Sequence, residues 1–160
     1  MMYALVFVII ILLLDIIINK TNINRTEFKE NLNYKEIYEK KNYLLTQKEL
    51  KFYKLLKSIT NKYNLNLFTQ VALYEIVKSK DIKDFNRIKS KTIDFIVADN
   101  NCQIKMCIEL DDSTHIQKKR QERDKFINEL FKQLDIKLLR IPEQNFYNLQ
   151  ELEERIKESL

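Results

Sequence analysis

The sequence predicts an α/β domain behind an apolar N-terminal helix, and three observations lead there. The first eighteen residues, MMYALVFVIIILLLDIII, carry one charge, Asp15. Further on, short runs that alternate apolar and polar residues, the period of a strand, are interleaved with longer stretches in which apolar residues recur every three or four positions, the period of a helix. The length of 160 residues leaves room for one ordinary domain and a short appendage.

Residues 1–18 are close to the lower length limit for a membrane-spanning helix, about 17 to 25 residues. A signal peptide would open on Lys or Arg and end in a small-residue cleavage site, and this segment does neither, so an uncleaved transmembrane anchor is expected. A cleaved leader and a core helix are the rival readings. Lys20, Arg25 and Lys29 follow the apolar run, which by the positive-inside rule puts the rest of the chain in the cytoplasm. Residues 19–43 read as a polar tether, because Tyr34, Ile37 and Tyr38 are too sparse to define a core face.

The folded domain is expected over 44–160. Thr46-Gln47-Lys48-Glu49 has the form of a capping box and opens an amphipathic helix that runs to about Thr60 on Leu50, Tyr53, Leu55, Leu56 and Ile59. Phe68–Leu73 reads as a strand. Residues 74–91 form a basic connection whose Lys78, Lys80, Lys83, Arg87, Lys89 and Lys91 recur without a hydrophobic period. Thr92–Ala98 and Ile104–Asp111 are strands joined by a tight hairpin at Asn100-Asn101, since Asn tolerates positive φ. Gln117–Leu134 has the apolar stripe of a second helix, Lys137–Ile141 is a strand ended by Pro142, and a last amphipathic helix starts near Tyr147.

Composition removes several function classes. The chain has no glycine, which excludes P-loops and dinucleotide fingerprints, whose backbone approaches phosphate where a Cβ would clash. Cys102 and Cys107 are its only cysteines, too few and wrongly spaced for a disulfide framework or a cysteine zinc site. A net charge of +5 favours a polyanionic partner such as nucleic acid or an acidic membrane surface.

The chemistry concentrates in residues 92–115. Strand alternation turns Met106, Ile108 and Leu110 one way and Cys107, Glu109 and Asp111 the other. A hairpin of even loop length puts Asp94 opposite Cys107 and diagonal to Glu109, on the same face. Carboxylates clustered mid-strand raise one another's pKa values unless a cation neutralises them, and a divalent metal is the simplest one. Asp94 and Glu109, with the main-chain carbonyl of Leu110, are the candidate metal ligands. Beside basic surface, such a centre suits phosphodiester hydrolysis. The plainer reading is that these acids pair with lysines along a sheet edge.

The pieces IDF (93–95), IELDDSTH (108–115), Arg123-Asp124 and KLLRIP (137–142), in this order, resemble the PD-(D/E)XK superfamily. More narrowly, they are similar to a bacterial family akin to the very-short-patch repair endonucleases. The resemblance covers residues 44–142. It implies a restriction-endonuclease-like core of order αβββαβ, a central mixed sheet flanked by helices, and hydrolysis of nucleic acid, DNA above all, with Mg²⁺ or Mn²⁺. It also implies that Asp94 and Glu109 are the metal-binding acids and that Glu49 is the acid of the first helix. Asp111 falls where the superfamily has its lysine, His115 becomes the candidate general acid or base, and Asp112 replaces a glycine. Glu49 is explained equally well by the capping box, and a lone histidine before a helix is often a cap. Lys89, Lys91, Lys118, Lys119, Arg120 and Arg123 flank the site in sequence and are the candidate phosphate contacts. The expectation is a membrane-anchored nuclease domain. The alternatives are a catalytically inactive nucleic-acid- or protein-binding module of the same fold, and a purely structural membrane-associated domain.

Overall fold

The computed structural model describes residue 6 and residues 9–21, 33–111 and 118–160, with only the backbone of 118–120. The chain falls into two units, Met1–Asn42 and Tyr43–Leu160. In the first, α1 (residues 9–21) exposes its apolar side chains, and α2 (Tyr34–Ile37) is one turn that buries nothing. Among the described residues no helix is long and apolar enough to cross a membrane. Of the expected span, residues 1–5, 7 and 8 lie outside the described residues.

The second unit runs α3 (Gln47–Lys62), β1 (Asn66–Ala72), α4 (Leu73–Ile76), α5 (Ile82–Ile88), β2 (Thr92–Ala98), β3 (Ile104–Asp111), α6 (Lys118–Gln133), β4 (Leu138–Pro142) and α7 (Leu149–Ser159). The strands form one mixed sheet in the order β1-β2-β3-β4, antiparallel except for β3 and β4. The parallel pair follows from the connection: α6 carries the chain back along the sheet, whereas the short hairpin between β2 and β3 forces an antiparallel pair.

Alternation along the central strands feeds two cores. On one face Phe95, Val97, Met106, Ile108 and Leu110 pack with Phe52, Leu56 and Ile59 of α3 and Leu152 and Ile156 of α7. On the other, Ile96 and Cys107, a registered pair, pack with Ile127 and Phe131 of α6, Leu73 of α4 and Ile88 of α5. Each fully buried side chain of this size stabilises the fold by roughly 1.5–3 kcal/mol relative to exposure, and Phe52, Phe95, Ile127 and Phe131 are all at or near zero exposure. α3, α5 and α7 start on side-chain caps. The Thr46 hydroxyl accepts the Glu49 N–H (3.2 Å) while Glu49 Oε2 accepts the Thr46 N–H (2.6 Å), Asp81 Oδ1 accepts the Asp84 N–H (2.8 Å), and Asn148 Oδ1 accepts the Gln150 N–H (3.0 Å).

Three details differ from the sequence reading. β1 starts at Asn66 and ends at Ala72, because Leu73 turns inward as the first residue of α4. The basic connection contains α4 and α5, each too short to display a period of 3.6. The hairpin is wider than the expected tight turn. Asp99 Oδ1 accepts the N–H groups of Asn101 and Gln103, both at 2.9 Å, and the residue with positive φ is Cys102 (61°), not an asparagine. The loop takes up an odd residue, so the register shifts between Val97↔Met106 and Ala98↔Ile104, and Ile96 rather than Asp94 stands opposite Cys107. Asn64, Gln70 and Asp135 also have positive φ.

Candidate active site

The changed register draws the two principal acids together. β2 and β3 are paired as far as Phe95↔Ile108, so the next position along each strand is Asp94 and Glu109. Beyond the paired residues, Asp94 Oδ2 accepts the Leu110 N–H at 2.9 Å. The site lies at this open end of the hairpin.

The acidic face is partly closed to solvent: Asp94 and Asp111 are half-buried and Glu109 is buried. α6 covers it, and Glu109 is 3% exposed. The parallel register sets Arg140 of β4 beside Glu109, and Arg123 reaches down from α6. Arg123 Nη2 lies 3.2 Å from Glu109 Oε2, and Arg140 Nη1 lies 3.9 Å from the same oxygen and 2.7 Å from Asp111 Oδ1. Asp124 sits between the two guanidinium groups, 3.8 Å from Arg123 and 3.6 Å from Arg140. The partners named by the plainer reading, lysines along a sheet edge, are replaced by two arginines. Arg140 was not singled out from the sequence; its only sign there was its place in KLLRIP, and the parallel register that gives it meaning is a long-range fact.

Two guanidinium groups do not complete Glu109. Its Oε1 is buried and has no hydrogen-bond partner among the described residues. Burial first, and then the nearby Asp94 charge, push its pKa up to about 7 against the pull of Arg123 and Arg140. Asp94 is also raised, chiefly by burial and then by the Glu49 charge, although the Leu110 N–H favours its ionised form. The Cys107 thiol is pushed up to about 12 by burial and by Glu109, so it packs as an inert apolar group.

Glu49 closes its capping box with one oxygen and uses the other in the site. Gln70 Nε2 donates to Glu49 Oε1 at 3.0 Å and to Asp94 Oδ1 at 3.4 Å. Gln70 interrupts β1 with φ 52°, and the pairing of β1 with β2 skips it, passing from Thr69↔Phe95 to Val71↔Ile93. A left-handed residue without glycine costs on the order of 1–2 kcal/mol, and strain of this kind is concentrated at functional sites. The sequence gives no local sign of it.

Asp94, Glu109, Asp111, Glu49 and Leu110 thus share one end of the sheet. His115 and Asp112 lie outside the described residues, as do the side chains of Lys118, Lys119 and Arg120. Lys89 is exposed at the end of α5, and Lys91 places its Nζ 5.5 Å from the centre of the Phe126 ring.

Among the described residues no group of three or more His, Cys, Asp or Glu side chains is drawn together as a metal cage. The Oε1 of Glu109, without a partner among the described residues, lies near enough to the Asp94 carboxylate for that charge to raise the Glu109 pKa.

Fold and site together define a mixed α/β domain with a carboxylate cluster at the open end of its central strand pair. Over residues 41–160 the chain matches the family described as protein of unknown function (DUF2726), and it belongs to that family. No curated protein and no solved structure matches it.

Proposed function

We propose that the protein is a metal-dependent nuclease of the PD-(D/E)XK type that hydrolyses phosphodiester bonds, in DNA above all, and that residues 1–18 attach it to a membrane with the domain on the cytoplasmic side. One observation carries the nuclease reading: a buried carboxyl group, Glu109, has an oxygen without a partner and stands beside a second raised carboxyl group, Asp94. Two acids held in this state are poorly satisfied by the protein alone and are stabilised by a divalent cation.

In this reading Asp94, Glu109 and the Leu110 carbonyl hold Mg²⁺ or Mn²⁺. When bound, the ion supplies Lewis-acid polarisation of the phosphodiester and activates water. The chain's own groups prepare the site. The Leu110 N–H and the Gln70 amide fix the Asp94 carboxylate from two sides, and Arg123 and Arg140 hold Glu109 Oε2, leaving Oε1 available. Asp111, at the position of the superfamily's lysine, is held by Arg140, so the cation of this region comes from β4. His115 is the proposed proton donor or acceptor.

The decisive measurement is cleavage of single- and double-stranded DNA by the full chain with Mg²⁺, with Mn²⁺ or with chelator. Asp94→Asn and Glu109→Gln are each expected to lower the rate at least ~100-fold. Metal-dependent cleavage that survives both substitutions overturns the assignment. The second reading, an inactive binding module, is favoured by the arginines, which already give Glu109 and Asp111 counter-charges. It predicts salt-sensitive nucleic-acid binding without cleavage.

A further inference from the structure

Between α5 and α6 lie two adjoining hollows, one of about 270 Å³ and one of about 440 Å³, which share Arg87 and Phe126 and so form one furrow. Its far part has an apolar floor that includes Ile88, Leu130 and Leu134, with Lys78 and Lys80 on the rim. Its near part is lined by Lys91 and Arg123. Arg123 also touches Glu109, so one lining residue of the near part is shared with the acid cluster. Five cations line it against two acids, Asp84 and Glu122. At its middle the Arg87 guanidinium lies over the Phe126 ring, 4.6 Å from the centre.

The geometry points to this furrow as the channel for a single-stranded segment of nucleic acid that leads to the acid site, a substrate class that rests on the nuclease reading above. A duplex presents phosphates outward and keeps its bases paired. It would use the cations but has no use for an apolar floor. An unpaired strand brings both phosphates and exposed base faces, and single-strand channels combine a positive groove with flat stacking platforms. The Arg87–Phe126 stack supplies such a platform: arginine planes and aromatic rings both accept a base. Lys78, Lys80 and Lys91 are spaced along the furrow as phosphate contacts. The sequence shows these cations as a run without periodicity because their alignment depends on α5 packing against α6.

Binding of fluorescein-labelled single-stranded and duplex oligonucleotides of equal length to the full chain in chelator, followed by anisotropy, tests this without cleavage. The single strand is expected to bind more tightly. Arg87→Ala with Lys91→Ala is expected to weaken it about tenfold and to lower the salt slope by about 1.4, two contacts at ~0.7 each. Lys78→Ala with Lys80→Ala, at exposed positions that leave the core intact, is expected to do the same if the first pair disturbs folding. Lys51→Ala with Lys54→Ala, exposed on α3, serves as the control. Preference for duplex, no binding, or equal weakening by the control pair overturns the proposal. Single-strand binding that depends on the furrow, without cleavage in Mg²⁺ or Mn²⁺, overturns the nuclease reading and leaves the channel standing.

Discussion

The β2–β3 hairpin carries carboxylates at both ends, and the two ends treat them oppositely. At the turn, Asp99 accepts N–H groups from Asn101 and Gln103 and pairs with Lys105 at 3.0 Å, and its pKa is lowered, first by the Gln103 N–H. At the open end Asp94 and Glu109 are both raised, first by burial, and then Asp94 by the Glu49 charge and Glu109 by the Asp94 charge. Asp99 is a finished structural group whose side-chain partners lie within six residues of it. Asp94 and Glu109 draw their partners from β1, β3, β4 and α6, and among the described residues still leave an oxygen unserved. Asp99 is completed locally, whereas Glu109 is surrounded by partners from distant elements and left incomplete.

The largest effect that sharpens this contrast is the pH dependence of stability in chelator. Glu109 has its folded pKa raised from the ordinary value of 4.5 to about 7. Below 4.5 both states are protonated and the group is neutral to stability. As pH rises from 4.5 to 7 the unfolded chain ionises first, the folded state binds more protons, and stability falls. The loss approaches roughly 3 kcal/mol above pH 7. Urea unfolding at pH 5 and pH 8 reads it, and Glu109→Gln should flatten the difference. A wild-type profile already flat would mean that Glu109 is as complete as Asp99.

A smaller effect is expected from Arg140→Met, which removes the counter-charge of Asp111 and part of that of Glu109. The variant should lose about 1–3 kcal/mol at pH 8 and less at pH 5, where Glu109 is protonated. Equal loss at both pH values would assign Arg140 to packing alone. The smallest effect belongs to the turn. Asp99→Asn should lower the unfolding midpoint at neutral pH, and the deficit should vanish as the pH is taken below the ordinary carboxylate range, the reverse direction to Glu109. The same substitution should leave any metal-dependent cleavage within about twofold, because Asp99 lies at the far end of the hairpin.

Much of this architecture was legible in local pattern. The Thr46–Glu49 box, the alternation of β3 and the stripe of α6 on Ile127 and Phe131 each follow from residues close in sequence, and each appears where the pattern put it. The acids were legible as a cluster, but their partners were not. Arg140 meets Glu109 through a parallel register, and Gln70 reaches Asp94 and Glu49 through a left-handed backbone residue. The hairpin register was misread because Asp99, not the Asn100-Asn101 pair, organises the loop. α4 and α5 escaped because four and seven residues are too few for helical periodicity.

The four left-handed residues have a consequence for how this chain can be spelled. Asparagine, isoleucine and lysine, abundant here, are written in A- and T-rich codons, while every glycine codon begins GG. Under that bias the positions that ordinarily fall to glycine pass to the amino acids that bear a side chain and still tolerate the conformation. Asn64 and Asp135 are of that kind. Cys102 and Gln70 are not, and they mark where nucleotide composition alone does not account for the amino acid used. At Cys102 the side chain is exposed and serves no contact described here. At Gln70 it is the amide between two acids, a contact that no glycine could make.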